Sequence, residues 1–196
     1  RDLNDKKIEN SDFVILPSSI IAHETELKAM LQLKHKKIFV TGIFATTMKD
    51  KYLNDNSIVI KNESDTFFYN LEKSGSLNLN FLNELFIKKD LINEFYSPVS
   101  LDDFPYPDWG SYTKKFPLRN DFFSLKQKIA VPLLGTRGCP YSCFFYCTYP
   151  LQQGRKVRAR SVENIIDEIK FWKKELGTNK FVFRDPVFSI NRKHTI

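Results

Sequence analysis

Cys139, Cys143 and Cys147 are the only cysteines of the chain and fall within nine residues, in the segment GTRGCPYSCFFYCTYP from Gly135 to Pro150. Thiolate is a soft ligand for iron and zinc. Three on one loop can hold three irons of a 4Fe-4S cluster and leave the fourth iron open to an exchangeable ligand. Clusters that only carry electrons normally use four cysteines, so a set of three points to an iron that meets a substrate group. Gly135 and Gly138 allow the backbone to wrap close to such a cluster, where amide donors tune its potential. Two other readings stay open. Zinc needs a fourth ligand, and His23, His35 and His194 all lie outside the loop. Unliganded thiols, spaced at four and so on one helical face, would simply pack as small apolar side chains. The odd number argues against a disulfide framework.

The elements that must position this loop follow from periodicity. Lys128 to Leu134 reads as a strand that Gly135-Thr136-Arg137-Gly138 breaks, delivering the cysteines into a loop. Ser161 is an N-cap, after which Val162, Ile165, Ile166, Ile169, Trp172 and Leu176 follow one helical face until Gly177 ends the helix. Lys180 to Phe183 is the next strand, closing at Arg184-Asp185-Pro186. This is a βαβ unit, so its strands should be parallel. Earlier in the chain, Asp12 to Leu16, Lys37 to Gly42 and Ser57 to Ile60 are short apolar strands. The helices between and after them are His23 to Leu33, built on Leu27, Met30 and Leu31, and one that begins at Ser64. Continuous apolar strands alternating with helices predict a parallel sheet covered on both faces, with ligands beyond the carboxyl ends of the strands. Those ends carry Ser18, Ser19, Gly42 and Glu63. Between the two parts, Asn80 to Asn93 reads as one helix. Leu101-Asp102-Asp103-Phe104-Pro105-Tyr106-Pro107-Asp108-Trp109 reads as a non-helical strap pinned by its aromatics.

Composition narrows the class. Of 196 residues, 42% are apolar and 18 are Phe, enough to order a core and to exclude a disordered tail. Mean hydropathy is −0.36, and no run of ~18 apolar residues occurs to span a bilayer. The polar opening RDLNDKKIENSD is no signal peptide, so the chain is expected to be cytoplasmic. Both ends are expected to be internal to a longer protein, since each sheet is too thin alone. Net charge is +7, and Leu151 to Ile196 holds 11 Lys and Arg against 5 Asp and Glu. The aromatics there keep helix and strand periods and form no stacking platform. That quarter is read as a solvated face beside an anionic ligand or cluster, not as a nucleic-acid surface.

The cysteine loop, the segment Arg158, Arg160, Ser161 and the helix Val162 to Leu176 resemble the start of a radical S-adenosylmethionine (SAM) enzyme domain. With the Leu101–Trp109 strap before them, they resemble the subfamily that carries an N-terminal cobalamin-binding domain. The implied fold is α/β. A partial Rossmann-like cobalamin-binding domain (1–75) leads through a connector (76–127) to the first βαβ of a radical SAM (β/α) partial TIM barrel (128–196). The resemblance implies a 4Fe-4S cluster on Cys139, Cys143 and Cys147, reductive cleavage of SAM to a 5′-deoxyadenosyl radical, and cobalamin as a further cofactor. The reaction implied is methyl transfer to, or rearrangement at, an unactivated carbon. An electron donor such as a flavodoxin or ferredoxin is implied, with a small-molecule or peptide substrate and no membrane or nucleic-acid partner. Tyr146 takes the place of the aromatic beside the SAM adenine, and Asp185 that of a polar residue facing the SAM amino group. Ser18, Ser19, Gly42 and Glu63 align with positions lining the nucleotide tail of cobalamin. Arg158 and Arg160 are read as basic residues at a helix start, within reach of a carboxylate or phosphate. His23 reads as a solvated histidine. The family spacing is CxxxCxxC. Here it is CxxxCxxxC, with Phe144-Phe145-Tyr146 between the last two cysteines, and the extra residue reads as a bulge that still brings Cys147 to the cluster. Two alternatives are a methylthiotransferase-like radical SAM enzyme without cobalamin and a non-catalytic metal- or cluster-binding protein.

Overall fold

The strand Lys37–Thr41 carries Ile38, Phe39 and Val40 between its polar ends and is buried from Ile38 onward, as a strand covered on both faces must be. In the structure, a computed structural model that describes residues 6–115, 130–143, 147–190 and 192, it is the centre of a three-stranded parallel sheet. The order of elements is α1 (Lys6–Glu9), β1 (Phe13–Pro17), α2 (His23–Gln32), β2 (Lys37–Thr41), α3 (Ile43–Thr47), β3 (Ser57–Val59), α4 (Ser64–Lys73) and α5 (Leu79–Ile87). Val14 pairs with Ile38 and Ile38 with Ser57, fixing the register across the sheet. Successive residues of β2 point to opposite faces. Phe39 therefore enters one core with Ile58, Phe67, Leu71 and Leu85, while Ile38 and Val40 enter another with Met30, Ala45 and Tyr52.

Two expectations are corrected here. The face of α2 that is buried carries Glu26, Met30 and, just past its end, Leu33, at spacings of four and three; Leu31 is 73% exposed. The helix read over 80–93 stops at Ile87, and 3₁₀ turns follow over Lys89–Phe95. Phe81 and Phe95 stand in ring contact at 5.7 Å. In one continuous helix these two would lie ~21 Å apart, so packing both on the core that holds Phe67 requires the chain to turn back.

The described residues divide into two compact units, Arg1–Val99 with Leu151–Gln153, and Ser100–Pro150 with Gly154–Ile196. The stretch 76–127 is thus shared: α5 and the turns after it belong to the first core. Its residues 116–127, and the first two residues of the strand read at 128–134, lie outside the described residues.

In the second unit the strap opens with a 3₁₀ turn, Leu101–Asp103, where no helical geometry was expected. Ser100 begins it by accepting from the Asp102 amide at 3.4 Å. Phe104 is extended (φ −71°, ψ 139°), the conformation that a following proline enforces. Along the chain then come α6 (Trp109–Lys115), β4 (Ala130–Leu133), β5 (Thr136–Arg137), α7 (Tyr149–Gln153, of which Leu151–Gln153 count with the first unit), β6 (Arg158–Ala159), α8 (Val162–Leu176) and β7 (Lys180–Phe183). Strands β4 and β7 are parallel, Ala130 opposite Lys180 and Leu133 opposite Phe183, as a βαβ unit requires. The Ser161 hydroxyl caps α8 by accepting from the Asn164 amide at 3.2 Å, and Gly177 ends it in the left-handed region at φ +62°. Val131, Leu133 and Trp172 form the core between sheet and helix. The architecture is α/β with parallel sheets, consistent with a Rossmann-like unit or part of a barrel. No helix among the described residues is long and apolar enough to cross a membrane.

Candidate functional site

The glycine break after β4 does more than end a strand. β5 and β6 pair antiparallel, Thr136 opposite Ala159 and Arg137 opposite Arg158, making a short ribbon at the root of the cysteine loop. Gly135 accepts from the Arg160 amide at 2.9 Å on one side, and the Cys139 amide donates to Gly154 at 3.1 Å on the other. Gly138 sits at φ +91°, and its α-carbon lies so close to Lys156 that an added Cβ would come within 2.2 Å of that carbonyl oxygen. Cys139, next along, is 4% exposed; Cys143 is exposed and Cys147 half-buried, and all three are free thiols. Among the described residues the three thiols do not converge with one another or with His, Asp or Glu into a metal-binding group. Tyr146, with Phe144 and Phe145, lies outside the described residues.

Asp185 joins this root. Its carboxylate accepts from the Gly135 amide at 3.2 Å and from the Thr136 hydroxyl at 2.6 Å. The end of β7 is thereby tied to the start of the ribbon, a role beyond that of a turn residue before Pro186. Arg160 departs from its expected place at a solvated or ligand-facing position. Its guanidinium bonds the Glu168 carboxylate at 2.5 Å, the Asn164 side chain at 2.7 Å and the Leu134 carbonyl at 3.1 Å. Glu168 is almost wholly buried, at 1% exposure, so an ion pair that the sequence does not announce stands under the loop.

In the first unit the strand ends bring Ser18, Ser19 and Gly42 together. The Ser18 amide donates to Thr41 at 2.7 Å, and its hydroxyl accepts from the Ala45 amide at 2.8 Å, holding the start of α3. Gly42 lies at φ +101°, and a Cβ there would be 2.6 Å from the Ser18 carbonyl oxygen. Close packing of the β1 and β2 ends therefore accounts for this glycine. Ser19 bonds the Glu26 carboxylate through its amide at 2.8 Å and its hydroxyl at 3.4 Å. Glu63 stands at the start of α4 after Asn62, itself left-handed at φ +55°. His23 is half-buried, bonded through Nδ1 to the Ile20 carbonyl oxygen at 2.9 Å and packed on Phe44 at 5.1 Å between ring centroids.

Glu26 is the residue that sequence reading missed. It is buried, and the Tyr52 hydroxyl donates to its second oxygen at 2.9 Å. The signal was its place on the stripe with Met30 and Leu33. Burial, then the hydrogen bond and charge of Glu26, push the Tyr52 phenol well above its ordinary value. The folded protein thus keeps a proton that the unfolded chain releases near pH ~10. The stability this contributes is complete below that pH and is lost as pH rises beyond it. A Tyr52→Phe variant should lose about 1 kcal/mol at pH 8, where Glu26 loses a partner. Its deficit against wild type should shrink on passing pH ~10. Unfolding midpoints at pH 8, 9.5 and 11 check this, and a constant deficit would refute it.

The chemistry of the loop suits a thiophilic centre. Three free cysteines on one loop beside a closely wrapped glycine are donors of the type a metal or an iron–sulfur cluster takes. The Ser18 hydroxyl accepts from Ala45, Ser19 is bonded to Glu26, and Gly42 is packed against Ser18.

No family model matches the chain. It is similar to the anaerobic magnesium-protoporphyrin IX monomethyl ester cyclase of Cereibacter sphaeroides, 28% identical over 194 residues that cover 93% of this chain and 31% of that protein. It is also similar to a methyltransferase of Pyrococcus horikoshii, 38% identical over 64 residues, covering 33% of this chain and 14% of that one. The bacteriochlorophyllide d C-12(1)-methyltransferase of Chlorobaculum tepidum is 36% identical over 66 residues, again 33% of this chain and 14% of the relative. The chain therefore spans 14% to 31% of the length of these enzymes.

Proposed function

We propose that this chain is the junction of a radical SAM enzyme, the end of a Rossmann-like cobalamin-binding domain and the start of a partial barrel. In this reading Cys139, Cys143 and Cys147 hold three irons of a 4Fe-4S cluster and the fourth iron takes SAM. The observation that carries it is a loop of three free thiols whose root is closed by a ribbon, two strand ends and Asp185. Similarity over most of the chain to a cyclase, and over shorter stretches to methyltransferases, supports it. When bound, such a cluster supplies the electron that opens the sulfonium C–S bond of SAM and yields a radical able to take hydrogen from an unactivated carbon.

The chain's own part is to bind and orient. Gly135 and Gly138 let the loop wrap tightly, and Asp185 fixes its root. A carboxylate has about four lone-pair sites, so Asp185 keeps acceptor capacity for the SAM amino group beyond Gly135 and Thr136. Tyr146 is proposed to stack on the adenine. Ser18 and Glu63 are proposed to line the nucleotide tail of cobalamin, beside a loop in which Ile20 and Ile21 are 70% and 95% exposed. The proposed reaction is methyl transfer to, or rearrangement at, an unactivated carbon of a small molecule or peptide, with a flavodoxin or ferredoxin as electron donor. A second reading, a methylthiotransferase-like radical SAM enzyme without cobalamin, is favoured by the commitment of Ser19 to Glu26 and of Gly42 to Ser18. Binding of hydroxocobalamin by the full-length protein separates the two.

The cluster reading is tested by anaerobic reconstitution of the full-length protein beside a Cys147→Ala variant. About four irons and four acid-labile sulfides per chain are expected in the wild type and a large loss in the variant. Equal iron in both, or zinc at one per chain without sulfide, would overturn the cluster.

A further inference from the structure

We propose that the strap from Ser100 to Trp109 is the positioning element of the cysteine loop, acting through Asp102, Phe104 and Tyr106. The proposal deepens the cluster reading, and only its iron arm rests on that reading. The three residues are spaced by two along the strap, and Phe104 is extended. Asp102 lies in the 3₁₀ turn Leu101–Asp103 that leads into this extended segment.

Each meets residues at the root of the loop, Asp102 and Tyr106 sharing Asn164. The Asp102 carboxylate accepts from the Ser161 amide through both oxygens, at 2.8 and 3.1 Å. Its backbone carbonyl also accepts from the Asn164 side chain at 3.4 Å. The Phe104 ring lies 5.1 Å from the Arg137 guanidinium. The Tyr106 ring lies 5.8 Å from that of Arg160, and its hydroxyl donates to the Asn164 carbonyl at 3.4 Å. Both ring contacts are within the range of a cation–π attraction. Arg137 is on the strand that enters the loop, while Arg160 and Ser161 follow the strand that leaves it. The strap therefore grips both sides of the ribbon, one through a ring and the other through a ring and a carboxylate.

From Arg137 the first cysteine is two residues away, past the close approach of Gly138 to Lys156. A loop held at both root strands keeps its first thiol in place. Released on one side, it lets the bond between the Cys139 amide and Gly154 open. Cys139 is buried and Cys143 exposed, so one chain holds both a reporter and its internal standard. A role confined to overall stability would expose Cys139 no more than any other loss in this unit does. Leu176, the last residue of α8, packs on the core of Val131, Leu133 and Trp172 and serves as the control for a loss of packing in this unit.

The experiment uses full-length protein freed of metal and measures maleimide labelling of each cysteine by peptide mass spectrometry. Local opening of the root in Phe104→Ala and Asp102→Ala should speed labelling of Cys139 about tenfold, with Cys143 unchanged. Phe104→Tyr, which keeps the ring, and Leu176→Ala should label as the wild type does. Should an alanine variant fail to fold, Phe104→Leu carries the same expectation. Unchanged labelling of Cys139, or equal acceleration in Leu176→Ala, would overturn the proposal. In reconstituted protein the same strap variants should release iron to a chelator faster than the control. A wild type that takes up no iron but responds in the labelling arm would keep the positioning role and remove the cluster.

Discussion

Replacing Arg160 by alanine should destabilise the second unit by about 3–5 kcal/mol, because it leaves the Glu168 carboxylate buried without its counter-charge. The side chain of Glu168 is 2% exposed and that of Arg160 12%. Water cannot take over from the guanidinium without opening the space between α8 and the end of β4. The Leu134 carbonyl and the Asn164 side chain lose donors in the same step. Arg160→Lys should recover only part of the loss, since an ammonium lacks the planar fork that reaches three acceptors. Arg160→Met combined with Glu168→Leu should cost less than Arg160→Ala, because the orphaned charge goes too. Hydrogen exchange of the slowest α8 amides reads the opening of this unit without confusing it with the first. A loss below about 1 kcal/mol for Arg160→Ala would mean that the pair behaves as a surface bridge.

Why this pair was invisible to sequence reading shows what a sequence announces. α8 was legible because its evidence is local: Ser161 before it, Gly177 after it, and a stripe of Ile165, Ile169 and Trp172. β2 was legible because a fully covered strand must be apolar nearly throughout. Arg160 and Glu168 are two charged residues eight apart, and nothing local distinguishes them from a solvated pair. Burial depends on the strap passing over them. The β5–β6 ribbon was missed for a related reason. Two residues a side show no alternation, and what holds it is distant: Lys156 against Gly138, and Asp185 on Gly135 and Thr136. Glu26 failed in the opposite sense, since its helical phase was visible but its charge argued for solvent. At the site, the number and order of the cysteines were legible from their side-chain chemistry. Which of them is buried was not, because Gly154 and the ribbon decide it.

Gly138→Ala should be the most damaging single-methyl change in the loop, costing about 2–5 kcal/mol of local stability from overpacking and a left-handed alanine together. The two contributions can be separated within the same segment. Gly154 also has a positive φ, +80°, yet nothing lies within 4 Å of where its Cβ would be. Gly154→Ala therefore bears only the conformational cost of a backbone at φ +80° and ψ 174°, a region nearly reserved for glycine, about 1–3 kcal/mol. At Gly138 the obstacle is backbone, the Lys156 carbonyl, which no side-chain rotation relieves. The ribbon must part there, and the bond from the Arg160 amide to Gly135 should loosen with the bond from Cys139 to Gly154. Hydrogen exchange at the amides of Cys139 and Arg160 reads both. Accelerated exchange at both in Gly138→Ala, with Gly154→Ala near wild type, would show that contact between the two strands sets the loop root. Equal effects at the two glycines would assign it to backbone conformation alone. The first thiol would then be held by the turn it sits in and not by the ribbon beneath it.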